Sequence, residues 1–284
     1  MMETKQRKGL SRNTIDKYYT KESIADLCLS HVKTHLPIRE GDCLIEPSAG
    51  NGAFISGMKR LCQHGLFYDV EPEHPEIIPQ DYLTWDDGPL KERVSSRNGK
   101  IHVIGNPPFG RQSSLAIKFI KKSCEFCHSV SFILPKSFKK ESLKKTFPLQ
   151  FHLVFEMDLP EKSFFVDGIE HDVPCVFQIW ENMQTPRMVK EKVEPLHFRF
   201  VEKTENPDIS FRRVGVNAGK IDTDTNEKSI QSHYFITFTN NKSVRENVTK
   251  LSSITYDFNN TVGPKSISKQ ELIAKFNPRL ADLA

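Results

Sequence analysis

Two short apolar runs end where no strand can continue. Cys43-Leu44-Ile45-Glu46 runs into Pro47-Ser48-Ala49-Gly50-Asn51-Gly52, and Ile101-His102-Val103-Ile104-Gly105 runs into Asn106-Pro107-Pro108-Phe109. Proline removes the ladder donor a central strand needs, and glycines allow a backbone close enough to wrap a ligand. The first run therefore reads as strand, glycine turn and helix, and the second as a strand whose chemistry lies just past its carboxyl end. Further strand-like runs are LFYDV (66–70), VSFILP (130–135), FHLVFEM (151–157) and DVPCVFQIWE (172–181). The segments 20–36 and 114–127 carry apolar residues at helical spacing. Strands alternating with helices in this way predict an open, mostly parallel α/β sheet with its site at the carboxyl edge.

In the first helical segment Ile24, Leu27, Cys28, Val32 and Leu36 share one face, and Thr20 stands where a cap is needed. A short EII stretch precedes a turn around Asp81, after a connection too short for an ordinary crossover helix. Beyond about Asn182 the chain becomes charged and proline-containing, with β-like runs at LHFRFV and HYFITFT and a serine-capped helix in SISKQELIAKF. The length of 284 residues accommodates one large α/β domain and a small one. The organisation expected is a basic arm at 1–17, a catalytic domain at 18–184 and a small α+β domain at 185–284 suited to nucleic-acid recognition.

The net charge of +4 is compatible with an anionic partner and does not require one. The six cysteines lie largely within apolar runs, as free thiols in a reducing compartment do. Cys124 and Cys127 lack the second pair that would complete a zinc set, so no metal is expected. No apolar run approaches the roughly 20 residues of a membrane span. The reading is a soluble, intracellular protein without a membrane partner.

The glycine turn narrows the ligand. It lacks the third glycine of the dinucleotide fingerprint and the lysine of the triphosphate loop. A phosphate-free cationic ligand suits Glu46 at the strand end, with Gly50 and Gly52 receiving it, and S-adenosylmethionine has such an amino-acid head and sulfonium. Asp69 or Glu71, past the second strand, can accept ribose hydroxyls. Asp81 can accept an adenine amine, with Tyr82 or Leu83 against the ring.

Asn106-Pro107-Pro108-Phe109 supplies an amide oxygen, a carbonyl with no competing N–H, and a planar face. Two acceptors can take both protons of an aromatic amine whose ring stacks on Phe109, with Pro108 shaping the turn against the substrate. Asn106 and the Pro107 carbonyl then stabilise charge as the nitrogen attacks a methyl carbon.

With EPSAGNG at 46–52 and NPPF at 106–109, residues 18 to 180 resemble the class I S-adenosylmethionine-dependent amino-methyltransferases, particularly the N6-adenine group with an NPPF or NPPY signature. The resemblance implies a Rossmann-like class I methyltransferase fold with a mostly parallel central sheet. It implies a cofactor site of Glu46, Gly50, Gly52, Asp69 or Glu71, and Asp81, closed by Tyr19 and Thr20 of YYTKESIADLC. It also implies DNA or RNA as partner, with DNA ahead because the recognition part follows the cofactor segments. RNA adenine methylation, protein glutamine methylation and a catalytically silent nucleic-acid-binding or partner subunit are the alternatives.

Gripping a flipped base calls for a second aromatic wall, and Phe164 or Phe165, in an expected loop, supplies it. Among the lysines between 118 and 145, Lys136 and Lys139 are the expected phosphate contacts, close after VSFILP. Arg212 and Arg213 are candidates for phosphate or base-edge contacts. His171, beside the aromatic pair, reads as structural, because proton loss after methyl transfer needs no histidine.

Overall fold

The computed structural model describes residues 18–183, 185–188, 191–256 and 265–281. The expected basic arm at 1–17 lies outside them. The chain divides into two compact units that meet between Arg187 and Met188.

The first unit runs β1 (Tyr19–Thr20), α1 (Glu22–His35), β2 (Cys43–Glu46), α2 (Ile55–Leu61), β3 (Gly65–Asp69), β4 (Ile78–Pro79), α3 (Gly88–Ser95), β5 (Ile101–Gly105), α4 (Ser114–Cys124) and β6 (Ser129–Pro135). It continues with α5 (Glu141–Lys144), β7 (Phe151–Asp158), β8 (Phe164–Val166), β9 (Ile169–His171) and β10 (Cys175–Asn182). A seven-stranded sheet has the order β4-β3-β2-β5-β6-β10-β7. The first five of these strands pair in parallel, and β10 pairs antiparallel with both β6 and β7. This is a Rossmann-like α/β fold with a mixed, mostly parallel sheet.

Burial on both faces explains why the strands are such continuous apolar runs. Cys43, Ile45, Ile101, Val103, Val130, Phe132 and Leu134 join one core with Leu90 and Val94 of α3 and Phe119 and Ile120 of α4. The intervening Leu44, Ile104 and Ile133 join the opposite core with Ile24, Cys28 and Val32 of α1 and Ile55 and Met58 of α2. The period of two along each strand thus fills two layers of helix.

The structure departs from the sequence reading in several places. Lys21 occupies the N-cap of α1 and makes no side-chain cap bond, whereas Thr20 belongs to β1. Leu29 replaces Leu27 among the buried residues of that helix. β3 and β4 are joined without a helix, as the short connection predicts, whereas the region around Phe164 is strand rather than loop. There β1, β8 and β9 form a separate three-stranded sheet, with Tyr19 opposite Phe165 and Thr20 opposite Phe164.

In the second unit β11 (Phe198–Val201), β12 (Ile209–Arg212), β13 (Ile221–Asp222) and β14 (His233–Phe238) form an antiparallel sheet of order β11-β14-β12-β13. Two helices, α6 (Val244–Ser252) and α7 (Lys269–Leu280), each begin with a capping box, Ser243 with Glu246 and Ser268 with Glu271. Phe198, Phe211, Ile236, Leu272 and Phe276 are among the side chains of its core. Among the described residues of the chain, no helix is long and apolar enough to cross a membrane.

One buried polar network braces the edge of the sheet opposite the carboxyl ends. Asp42 accepts from the amides of Arg39 and Lys100, each at 2.7 Å. Its second neighbour is His102, Nε2 at 3.3 Å, whose Nδ1 lies 2.7 Å from Ser129 Oγ. Burial, against the pull of Asp42, lowers the His102 pKa to about 4. An unfolded imidazole titrates near 6.5, so between about pH 6.5 and 4 the unfolded chain takes up a proton that the folded chain refuses. Stability is therefore expected to fall as pH drops through that window, by on the order of 3 kcal/mol from this group. Urea unfolding at stepped pH should show the fall, with a shallower slope in His102→Gln.

Candidate active site

The residues that follow four neighbouring parallel strands meet in one cavity. Pro47 follows β2, Val70 follows β3, Gln80 follows β4 and Asn106 follows β5, and all four line it. The cavity holds about 910 Å³ of atom-free space, partly open to solvent. It lies at the edge where open α/β sheets present their turns.

One wall is the glycine turn. Gly50 and Gly52 have φ of 53° and 88°, a region closed to most side chains. Asp69 fixes the turn, since its two carboxylate oxygens accept from Gly50 N at 2.8 Å and Glu71 N at 2.9 Å. Glu73 N donates to the Gly50 carbonyl at 3.1 Å. The Tyr19 hydroxyl bonds to Glu73, and the Tyr19 ring lies 3.5 Å from where a Gly50 Cβ would stand. Tyr19 thus closes over the turn, while Gly52 lies outside the lining and lets Ile55 and His74 pack within 2.9 and 3.1 Å of its missing Cβ.

Carboxylates dominate this half of the cavity. Asp69, Glu71, Glu73 and Asp81 line it, and no lysine or arginine among the described residues does. Asp81 accepts from Leu83 N at 2.9 Å through one carboxylate oxygen. Tyr82 also lines the cavity, its ring 5.5 Å from Phe119 and its hydroxyl bonded to Ser123 at 2.8 Å, whereas Leu83 does not.

Glu46 does not match its expected role. It is 2% exposed, lies outside the lining, and its Oε2 has no hydrogen-bond partner. Burial, and then the charge of Asp69, push its pKa well above the usual carboxylate range, which favours the neutral acid over an ion that could pair with an ammonium group. Glu73, which the sequence reading passed over, is an ionisable group of the lining that faces the turn instead.

The opposite wall is built on Asn106. Its Nδ2 donates to the Tyr18 carbonyl and to Thr20 Oγ1, both at 3.2 Å. A carbonyl only accepts, so the amide nitrogen must face Tyr18 and the amide oxygen must face away. That Oδ1 is buried without a partner. Leaving a buried acceptor unpaired costs about 1–3 kcal/mol, so the site is poised for a donor. Pro107, Pro108 and Phe109 line the same wall, and the Phe109 carbonyl accepts from Leu115 N and Ala116 N at 3.1 and 3.3 Å, which ties the motif to the start of α4. Just past it Gln112 and Ser113 adopt φ of 53° and 63°, strained backbone directly beside the site.

The residues expected to grip the substrate are not brought into the cavity. Phe164 is fully buried in the core between sheet and α1, because the pleat of β8 turns alternate side chains to opposite faces. Phe165 is 36% exposed, with Lys21 Nζ 5.0 Å from its ring centre. Lys136 and Lys139 both pair with Asp158, at 3.2 and 2.8 Å. Against the effect of burial, their hydrogen bonds hold Asp158 below the usual carboxylate range. His171 packs edge-on to Tyr18 at 6.4 Å and does not line the cavity. Tyr18, Ser48, Gln80 and Phe119 complete the lining without having been anticipated.

No family model and no curated protein matches the chain. Among solved structures, one from Pyrococcus horikoshii that bears the provisional name RNA methyltransferase is 16% identical, covering 62% of this chain and 92% of its own at a TM-score of 0.47. The 23S rRNA methyltransferase ErmE is 14% identical over 61% of this chain and 72% of its own, at 0.42. The N-methyltransferase NodS from Bradyrhizobium japonicum is 11% identical over 57% and 97%, at 0.39. These are likenesses of fold; the chemistry has to come from the residues of the cavity.

The glycine geometry predicts unequal costs for adding a methyl group. Gly50→Ala meets only the Tyr19 ring at ordinary contact distance and should lose about 1 kcal/mol, from backbone strain alone. Gly52→Ala adds a clash with Ile55 and His74 and should lose about 2 kcal/mol or more. Thermal denaturation of the two variants checks the order.

Proposed function

We propose that this chain is an S-adenosylmethionine-dependent methyltransferase acting on the N6 amine of adenine in nucleic acid, with DNA ahead of RNA as the polymer. The observation that carries the reading is Asn106 Oδ1, a buried acceptor without a partner on a residue that lines the cavity together with Pro107 and Phe109. Both donors of the amide are spent on Tyr18 and Thr20, so only its oxygen is left to meet a ligand. A planar exocyclic amine is the complementary group, for it offers two N–H donors and a ring for Phe109 to cover.

The carboxylate half supports the choice of cofactor. Four acids and no basic side chain from the described residues disfavour a polyphosphate and suit a ligand with cationic centres and hydroxyls. Asp69 and Glu71 would hold the ribose, Asp81 the adenine amine, and Tyr19 with Gly50 the methionine end. S-adenosylmethionine bound there supplies an electrophilic methyl group on a sulfonium.

The protein's own work is positional. Asn106 Oδ1 and the Pro107 carbonyl draw the two amine protons towards themselves, which turns the nitrogen lone pair out of conjugation with the ring and makes it available for attack. Acceptors fixed in advance are worth more than mobile ones, because nothing has to reorganise as charge develops. The strained turn at Gln112 and Ser113 and the link from Phe109 to α4 hold that wall still. Reaching N6 requires the adenine to leave its stack, so a single-stranded or mismatched target costs less.

Asn106→Ala should lower kcat by about 10²–10³-fold while the cofactor Kd changes by less than about threefold. Because Asn106 also anchors Tyr18 and Thr20, Thr20→Val serves as control and should lose no more than about tenfold. Methyl incorporation by Asn106→Ala at a rate near that of the unaltered protein would remove Asn106 from the chemistry.

A further inference from the structure

We propose that the second unit carries its own binding groove for a single-stranded nucleic acid, with Arg213 and Lys269 taking backbone phosphates and Phe200, Tyr234 and Ile230 taking sugar and base faces. The inference rests on the reading that the substrate is a nucleic acid, and it places strand binding on residues outside the cavity described above.

The groove is an open one of about 600 Å³. Phe200 on β11 stands opposite Ile236 of β14, so Phe200 and Tyr234 are diagonal neighbours on one face of the sheet. Their rings meet edge to face, with centres 5.6 Å apart. Lys269 Nζ lies 4.6 Å from the Phe200 ring centre and 5.9 Å from that of Tyr234. The Arg213 guanidinium lies 5.4 Å from the Tyr234 ring centre. The aromatic pair thus acts as a platform that sets two cations side by side at a groove wall.

Both cations keep binding capacity. Arg213 spends one nitrogen on the Gln231 carbonyl at 2.9 Å, and a guanidinium has five N–H donors. Lys269 is exposed and forms no ion pair with a described residue. The acid on the rim, Glu202, is occupied in a capping box with Glu205. Burial lowers the His233 pKa, so the imidazole adds no charge at neutral pH. Ile230, 68% exposed, extends the apolar wall.

Two cations beside half-buried aromatic rings and the exposed Ile230 match a strand whose bases are unstacked; a duplex hides its base faces and an acidic peptide has none to offer. Each phosphate neutralised on a single strand contributes about 0.7 to the slope of log K against log salt, so two cations should contribute about 1.4.

The test is binding of fluorescent single-stranded DNA and RNA of mixed sequence, and of a duplex, to the full chain across a salt series, with poly-glutamate as competitor. Arg213→Gln/Lys269→Gln should weaken single-strand binding about tenfold and reduce the salt slope by about 1.4. Lys269→Glu guards against misfolding, because a new carboxylate in the first turn of α7 favours the helix while repelling phosphate; it should weaken binding at least as much as Lys269→Gln. Unchanged affinity and slope in these variants, or tighter binding of poly-glutamate than of the single strands, would overturn the inference. The two readings fail separately. Strand binding through this groove with no methyladenine formed would sink the activity and keep the groove, and methylation at an unaltered KM by the double variant would do the reverse.

Discussion

The Asp69 carboxylate accepts one backbone hydrogen bond at each oxygen, from Gly50 N and from Glu71 N, and so ties the turn after β2 to the turn after β3. Parallel strands leave their carboxyl ends on one edge, but an edge becomes a pocket only when its loops are fixed to each other. Here the ties run outward from Asp69. Glu73 bonds to the Gly50 carbonyl, Tyr19 bonds to Glu73, and Tyr19 stands in β1 beside Thr20, which receives the Asn106 amide. Hydrogen bonds, joined through the Tyr19–Thr20 peptide, therefore link the carboxylate-rich wall to the wall built on Asn106.

The two walls differ in what they leave open. Around the glycine turn there is excess negative charge with no basic side chain from the described residues, which repels phosphates and attracts cations and hydroxyl donors. At Asn106 the opening is a single neutral acceptor whose orientation is dictated by the carbonyl behind it. On the proposed reading the walls take two ligands of different chemistry, one held by ionic and hydroxyl contacts, the other by an amine. A shared cavity between such walls is the arrangement that group transfer requires.

Much of this was legible in the sequence, for a physical reason. A sheet covered on both faces writes its strands as apolar runs, and glycine and proline mark where they end, so β2, β5, β6, β7 and β10 and the turns after β2 and β5 could be read directly. The short strands β1, β8 and β9 were not read, because two or three residues carry no alternation and β1 pairs with β8 at long range, although Asp167-Gly168 does spell the hairpin turn that joins β8 to β9. Phe164 and Phe165 are adjacent, and only the pleat decides which is buried. Lys136 and Lys139 look free in the sequence, and lose that freedom because β10 brings Asp158 of β7 near the end of β6. Glu46 sits at the last strand position, where its side chain turns inward instead of into the cavity. The helix α6 was overlooked although Ser243 and Glu246 spell its capping box.

The most direct test of the account is to identify the product. The purified chain would be incubated with S-adenosylmethionine labelled in its methyl group and with separate pools of DNA and RNA, and each pool digested to nucleosides. Label recovered as N6-methyladenine is the predicted result, in the DNA pool ahead of the RNA pool. Label confined to another nucleoside, or absent from both pools while the protein binds the cofactor, would contradict it.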